Sequence, residues 1–216
     1  MTLPTPIVHE TNVTRPRLVD ADCNLNLGCA MTFWFRRDTF HSTQYLASQG
    51  GWNSDKGWLI RIKESIGGMY IDNIEVYTFK DENTKSNYRT RIPIVDRKDH
   101  FFAFVWDVDR YFPDGVLHHR FFDDDGRACN SAASDCDPGH CIVDGEDRAI
   151  RKSWYATLRD PTPSPLDLCI GGKVEGIDDE AWSGVIYEFK FYRGQGIRIS
   201  DLIDYYHDTK GRYNVD

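Results

Sequence analysis

A tryptophan in a glycine-rich loop is the first feature of this sequence that could do chemistry. Trp52 follows two glycines and precedes Asn53 and Asp55, in a stretch whose residues tolerate tight turns. A tryptophan in such a loop is hard to bury completely. The apolar face of a sugar ring stacks on an exposed aromatic ring while nearby polar groups bind its hydroxyls. We therefore predict that Trp52, Asn53 and Asp55 contact a carbohydrate ligand.

Basic and titratable side chains alternate along several apolar runs, so that neighbours two residues apart share one face of a strand. Three pairs do so: His118 with Arg120, Arg61 with Lys63, and Lys190 with Tyr192. In a polysaccharide lyase, a base of this kind removes a proton that becomes acidic when a cation neutralises a neighbouring carboxylate. The alternative is that these groups are solvated residues on half-buried strands. We keep His118 and Arg120 as predicted ligand contacts.

An acidic loop before the last apolar run is a source of oxygen ligands. Asp178, Asp179 and Glu180 are consecutive, and Ca²⁺ is bound by about six to eight oxygens. We predict these three as candidate calcium ligands, with a plain solvated loop as the alternative. Glu175, Asp178 and Glu180 loosely match the paired carboxylates of a glycoside hydrolase. Because glycine interrupts them, we expect a loop rather than the alternating strand that this reaction needs.

The six cysteines form an even set, and three of them fall within thirteen residues. They are Cys23, Cys29, Cys129, Cys136, Cys141 and Cys169. Such a set is typical of disulfides formed in an oxidising compartment, and Cys23 with Cys29 is one candidate pair. Cys129, Cys136, His140 and Cys141 could instead bind zinc, but they lack the paired Cys-x-x-Cys spacing. We expect disulfides and a location outside the cell or on a cell or virion surface.

Charge and hydropathy exclude several classes of partner. The formal net charge of -8 and the pI near 5.3 disfavour nucleic acid, which is bound by basic patches. No apolar run approaches the roughly 20 residues of a membrane helix. The residues after Met1 lack the basic start and apolar centre of a secretory signal.

The elements that position these residues are predicted β-strands. In the longest, 181–192, alternation places Val185, Tyr187, Phe189 and Phe191 on one apolar face. A face of that size requires a second sheet to cover it. The most apolar run, 100–107, is also predicted to be a buried strand.

Three segments depart from this strand pattern. Residues 1–19 contain three prolines and are predicted to be an extended arm or edge strand. Residues 127–165 lack periodicity, so we predict a long Cys-rich insertion. Residues 200–207 predict one or two helical turns with Ser200 as N-cap.

The order of six segments resembles a laminin-G-like, concanavalin A-like jelly roll. The segments are 31–36, 46–52 with 57–62, 100–107, 119–126, 168–172, and 182–193 followed by the turn at 200–206. Tyr187 departs from the pattern, because the family often has an acidic residue just before the glutamate of its last strand. The resemblance implies a glycan- or protein-binding module, frequently with calcium, although some similar jelly rolls are glycoside hydrolases or polysaccharide lyases.

We therefore predict an all-β protein: an N-terminal arm over 1–19, then a two-sheet antiparallel jelly-roll sandwich over 20–216 with a Cys-rich insertion and a short C-terminal helical turn. The expected function is a non-catalytic, extracellular carbohydrate-binding or adhesion module of laminin-G-like type, with calcium as the candidate cofactor. Its partner would be a glycan or an extracellular protein. The alternatives are a polysaccharide lyase or glycoside hydrolase, and a protein–protein adhesion domain.

Overall fold

The computed structural model of the chain contains two antiparallel six-stranded sheets. The structure describes residues 3, 8–13, 17–18, 29–40, 42–51, 56–63, 72–81, 84–106, 121–122, 128–129, 139–147, 164–172, 180–193, 197 and 199–213. The strands are β1 (Val8–Val13), β2 (Arg17–Leu18), β3 (Cys29–Arg37), β4 (Gln44–Gly51), β5 (Lys56–Lys63), β6 (Asn73–Asp81), β7 (Thr84–Pro93), β8 (Asp99–Trp106), β9 (Phe121–Phe122), β10 (Ala128–Cys129), β11 (Gly139–Val143), β12 (Glu146–Asp147), β13 (Leu168–Ile170) and β14 (Gly184–Arg193).

The strand order shows which segments meet. Sheet A has the order β1-β14-β3-β8-β11-β12, and sheet B has the order β2-β13-β4-β5-β6-β7, while β9 and β10 pair separately. Apolar residues from both sheets, among them Phe33 and Phe189 of sheet A and Trp58 and Ile60 of sheet B, form one buried cluster. This confirms the predicted all-β, two-sheet antiparallel sandwich.

The face assignment of the long C-terminal strand needs a correction. Strict alternation predicts Val185 and Tyr187 in the core, but a bulge between Ile186 and Glu188 changes the phase of β14. Ile186 therefore joins Phe189 and the rest of the inter-sheet core, while Tyr187 lies on the outer face. An extra residue in one strand shifts every earlier side chain to the other face.

The C-terminal helix is longer than predicted. Helix α1 spans Ile199–Thr209, with Ser200 inside its first turn rather than at the N-cap, and a 3-10 turn follows at Lys210–Arg212. Leu202 and Tyr206, four residues apart, lie on its buried side. They pack on the outer face of sheet A, in a cluster that includes Ala30, Trp34, Phe101, Ala103, Val105, Ile142 and Tyr192.

Part of the predicted insertion belongs to the sandwich. β11 pairs along β8 from Gly139 opposite Trp106 to Val143 opposite Phe102. Cys141 and Val143 enter the inter-sheet core, and Ile142 lies on the helix side. The last three residues of β11 are apolar and buried, and they fill both faces, so they show no alternation in the sequence. The prediction that residues 127–165 leave the sandwich is therefore wrong for Gly139–Val143.

Disulfides receive no support from the described residues. Cys29, Cys141 and Cys169 are buried, and no disulfide links these three to one another. The predicted positions Cys23 and Cys136 lie outside the described residues, and only the backbone of Cys129 is described. Among the residues that are described, no group of three or more His, Cys, Asp or Glu side chains is placed to bind a metal ion. Over the same residues, no helix has the length and apolarity to cross a membrane.

Candidate functional site

Most of the predicted ligand contacts lie outside the described residues. These are Trp52, Asn53, Asp55, His118, Arg120, Asp178 and Asp179. Glu180 is described and is partly buried, shortly before β14. The sequence nonetheless assigns residues 52–55 to the connection between β4 and β5, which are neighbours in sheet B.

Three charged side chains lie in one row across β5, β6 and β7. The register places Arg61 opposite Glu75 and Glu75 opposite Arg89. Glu75 Oε2 accepts a hydrogen bond from Arg61 Nε at 3.0 Å, and Glu75 Oε1 accepts one from Arg89 Nη2. We call these three residues the arginine row. One carboxylate between two guanidinium groups gives the row a net charge of plus one.

Strand alternation sets the face on which the arginine row lies. Ile60 and Ile62 of β5 and Ile74 and Val76 of β6 point into the inter-sheet core. The residues between them therefore point outward from sheet B. Because the three strands are consecutive neighbours in an antiparallel sheet, directly opposite side chains come within contact distance. The row is thus fixed by backbone register.

Aromatic side chains adjoin the row. The Arg61 guanidinium lies over the Tyr77 ring at 4.9 Å from its centroid and donates through Nη2 to the Tyr77 hydroxyl at 3.3 Å. Tyr45 is opposite Arg61 on β4. Tyr45 and Tyr77 form a buried cluster with Leu59 and Phe79 on the same face. The face therefore combines guanidinium groups with aromatic rings.

Burial differs among the charged side chains of the row. Glu75 is 2% exposed and Arg61 is 10% exposed, whereas Arg89 is 22% exposed. Burial acts to lower the pKa of Arg61, but Glu75, Tyr77 and Tyr45 outweigh it, so the pKa is raised and the group stays charged. Burial, and then Glu75, raises the pKa of Tyr77, so its phenol stays neutral and can donate. Arg89 is the member of the row that solvent reaches most.

The outer face of sheet A is occupied by helix α1. Lys190 donates to the hydroxyl of Tyr205, which in turn donates to Glu188, and Lys190 Nζ lies 3.0 Å from Glu188 Oε2. Burial, and then Glu188, raises the pKa of Tyr192 to about 12. Lys190 and Tyr192 were one of three pairs considered for lyase chemistry, with solvated residues on a half-buried strand as the alternative. The structure places both beneath the helix.

Only part of the arginine row was indicated by the sequence. Alternation singled out Arg61, although together with Lys63 rather than with Glu75 and Arg89. The sequence signal that was missed for the other two residues lies in β7, where alternation puts Asn87 and Arg89 on one face. Its pairing with β6 contains bulges between Asn73 and Glu75 and between Phe79 and Asp81. Register across bulges cannot be read from either strand alone.

The fold is similar to that of solved carbohydrate-binding proteins. No family model matches the chain, and no curated protein matches it. The CBM40 module of the Ruminococcus gnavus IT-sialidase superposes with a TM-score of 0.61 at 14% identity, covering 93% of this chain and 98% of that one. The same module bound to α2,3-sialyllactose gives a TM-score of 0.60 at 14% identity and the same coverage.

A larger protein contains a similar domain. The leech intramolecular trans-sialidase in complex with 2,7-anhydro-Neu5Ac gives a TM-score of 0.54 at 13% identity, covering 94% of this chain and 28% of that one. At identities this low, the similarity shows a shared all-β fold alone. This agrees with the predicted jelly-roll class, although these neighbours do not single out the laminin-G type.

Proposed function

We propose that the chain is a non-catalytic carbohydrate-binding module that binds acidic glycans on the outer face of sheet B. The observation that carries the proposal is the arginine row, where Arg61 and Arg89 flank Glu75 beside aromatic rings. Guanidinium groups pair with carboxylates in planar, two-bonded geometry, and Arg89 is 22% exposed, the most of the three side chains of the row. A sugar that carries an acid group offers a carboxylate to this arginine.

The structural neighbours support this choice of ligand. A CBM40 module of similar fold is bound to α2,3-sialyllactose, a trisaccharide whose terminal sugar carries one carboxylate. The predicted contacts Trp52, Asn53 and Asp55 belong to the same proposal, since their segment joins β4 to β5 of sheet B. The proposal also includes an extracellular location and a calcium ion bound by Asp178, Asp179 and Glu180.

The outer face of sheet A, which was considered for lyase chemistry, is a less favourable site for a polysaccharide. Tyr192 is 2% exposed and lies in the cluster that α1 covers, so a polysaccharide could not reach its phenol without displacement of the helix. A protein–protein adhesion domain of laminin-G-like type is the second candidate. It is separated from the first by the experiment that follows.

The test is calorimetric titration of the protein with α2,3-sialyllactose and with lactose, with calcium and with a chelator. We expect the acidic sugar to bind and lactose to bind much more weakly. Arg89→Gln should weaken sialyllactose binding about tenfold or more, because a hydrogen bond to a charged group is lost. Arg212→Gln is the matched control, since Arg212 is exposed in the 3-10 turn after α1.

Two results would count against the proposal. Equal binding of lactose and sialyllactose would remove the role of the acid group, and an unchanged affinity in Arg89→Gln would remove the role of the arginine row. If neither sugar binds, a glycan array decides between another acidic glycan and a protein partner. Loss of binding with chelator would support calcium.

A further inference from the structure

We propose that His100 is a pH-sensitive switch for the connection between β7 and β8: the charged imidazole holds Asp96 in place, and the neutral imidazole releases Asp96 but keeps Asp144. The inference does not depend on the proposed function. Its consequence is that the four exposed residues 95–98 have a fixed arrangement only while His100 is charged.

Both ring nitrogens of His100 lie at hydrogen-bond distance from a carboxylate. The distance from Nδ1 to Asp144 Oδ2 is 2.9 Å, and the distance from Nε2 to Asp96 Oδ1 is 2.6 Å. A charged imidazole donates from both nitrogens, whereas a neutral one has a single donor and a lone pair, and an ionised carboxylate can only accept. The neutral ring can therefore keep one of the two carboxylates. The other carboxylate faces a lone pair and must move away.

Asp144 is the carboxylate that stays. Its Oδ1 accepts from the backbone N–H of Phe101 at 2.8 Å, and its own N–H donates to the carbonyl of Phe101 at 3.0 Å. The next residue, Gly145, lies so close to Tyr206 of α1 that a Cβ would be 2.4 Å from the tyrosine ring. These contacts do not involve the imidazole. The turn between β11 and β12 therefore keeps its place when the proton is lost.

Asp96 is the carboxylate that leaves. Its side chain is 50% exposed, whereas that of Asp144 is 32% exposed. Apart from the imidazole, the bond that Asp96 Oδ1 accepts comes from the backbone N–H of Lys98 at 3.1 Å, within the same connection. When Nε2 gives its proton to solvent, water can take the place of the imidazole at this carboxylate. The connection then loses its contact with β8 through His100.

Both ends of the connection are anchored, which limits the movement. The N–H of Ile94 donates to the carbonyl of Asp72 at 2.9 Å. At the other end, β8 begins at Asp99, whose carboxylate accepts from the hydroxyl of Tyr187 at 2.8 Å. The release therefore moves residues 95–98 and leaves the strands on either side in place.

The surroundings of the ring set the pH range of the switch. The described titratable groups on the elements packed around it are Asp96 and Lys98 of the connection, Asp144 and Glu146 at the β11–β12 turn, and Tyr206 of α1. β3 contributes the uncharged ring of Phe35. Burial acts to lower the pKa of His100, but Asp144 and Asp96 outweigh it and raise the pKa above 6.5. The release is therefore expected above pH 6.5.

The first test reads the protonation of the His100 ring by NMR, with ¹⁵N-labelled histidine side chains. The spectrum of His100→Gln identifies the His100 signals by their absence. In the wild type we expect two protonated nitrogens near pH 5.5 and, near pH 9, a neutral ring that carries its proton on Nδ1. A neutral ring with its proton on Nε2 would mean that Asp96 stays, and it would overturn the inference.

The second test is hydrogen exchange of the Lys98 amide, which donates to Asp96. Its rate is divided by the rate of the Asp144 amide, which donates to Phe101, so that the pH dependence of exchange itself largely cancels. We expect this ratio to rise about tenfold in the wild type between pH values near 5.5 and near 8.5, because the carboxylate that accepts from Lys98 is no longer held.

Two variants should abolish this rise. In His100→Gln the group that titrates is removed. In Asp96→Asn the amide can accept from a charged imidazole and donate to a neutral one, so the connection is held at both pH values. We expect a rise of less than about twofold in each. Asp208→Asn is the control, since Asp208 is exposed on α1, and it should keep the tenfold rise.

A rise in either variant as large as in the wild type would overturn the inference. Should a variant not fold, the tautomer of the wild-type ring still decides. Neither measurement uses a sugar, so a failure of the proposed function and a failure of this inference are seen separately.

Discussion

Arg37, the last residue of β3, donates through Nη1 to the carboxylate of Asp72, and both side chains are fully buried. The same guanidinium donates through Nη1 to the carbonyl of Ile94 at 3.2 Å and through Nη2 to the carbonyl of Ser42 at 2.7 Å. Asp72 precedes β6, and Ile94 follows β7. One residue of sheet A is thus bonded to the connections at one end of sheet B.

Removal of the Asp72 charge should destabilise the fold strongly. Asp72→Asn keeps the side-chain size, and asparagine tolerates the positive φ of 59° at this position. Because Arg37 would stay buried without its counter-ion, we expect a loss of about 3–5 kcal/mol in the free energy of unfolding. Urea denaturation of the wild type and the variant near neutral pH measures this loss.

The matched control is Asp38→Asn. Asp38 pairs with Arg36 at 3.1 Å, with side chains that are 46% and 35% exposed. An exposed pair of this kind should contribute less than about 1 kcal/mol. Similar losses in the two variants would contradict the importance given to burial.

His100 links the connection between β7 and β8 to the turn between β11 and β12 through two carboxylates. Its Nδ1 lies 2.9 Å from Asp144 Oδ2, and its Nε2 lies 2.6 Å from Asp96 Oδ1. Burial acts to lower the pKa of His100, but the bonds to Asp144 and Asp96 outweigh it, so the pKa is raised above its ordinary value of 6.5. The Phe35 ring packs beside the imidazole.

The raised pKa fixes the direction of a pH dependence. A group whose pKa is higher in the folded state stabilises the fold fully below its unfolded pKa, and this stabilisation is lost as pH rises through the folded pKa. Asp96 contributes a pH dependence of the opposite sign. Burial acts to raise its pKa, but the hydrogen bond with His100 outweighs it and lowers the pKa below its ordinary value of 3.8. Its stabilisation is therefore lost as pH falls through the folded pKa of the carboxyl.

The experiment is urea unfolding near pH 5.5 and near pH 8.5. We expect the stability lost between these two values to be smaller in His100→Gln than in the wild type. His207→Gln is the control, because His207 is exposed on α1. If His207→Gln and His100→Gln change the pH profile equally, the contact with Asp96 and Asp144 is not the cause.

Gly145 should tolerate no side chain. It follows Asp144 in the turn between β11 and β12 and has a φ of 80°. A Cβ there would lie 2.4 Å from the Tyr206 ring of α1. We expect Gly145→Ala to cost about 1–3 kcal/mol, from the left-handed backbone and from displacement of that ring. In the control Gly211→Ala, a Cβ meets nothing within 4 Å, and a comparable loss there would refute this account.

Local alternation was enough to predict the central strands. Met31, Phe33 and Phe35 share one face of β3 and all lie in the inter-sheet core, while Trp34 points to the helix side. The predicted strand over 100–107 is observed as β8, one residue earlier. These strands pair without bulges, so the period of two holds from end to end.

The site could be predicted only in fragments. Glu75 and Arg89 acquire their importance from the register of β5, β6 and β7, and no short window of sequence contains that register. Tyr187 was assigned to the wrong face because a bulge is invisible to a count of alternating residues. The glycan contacts predicted in the Trp52 loop stay predictions.

The position of β14 between β1 and β3 also affects how the protein can be made. Val8 pairs with Phe191, so a ribosome delivers one member of this pair long before the other. The meander β4 to β7 joins consecutive strands and can form while the chain is still growing. Closure of sheet A must wait for β14, and such long-range pairing is slow. We expect β1 to depend on chaperones for protection until β14 has been made.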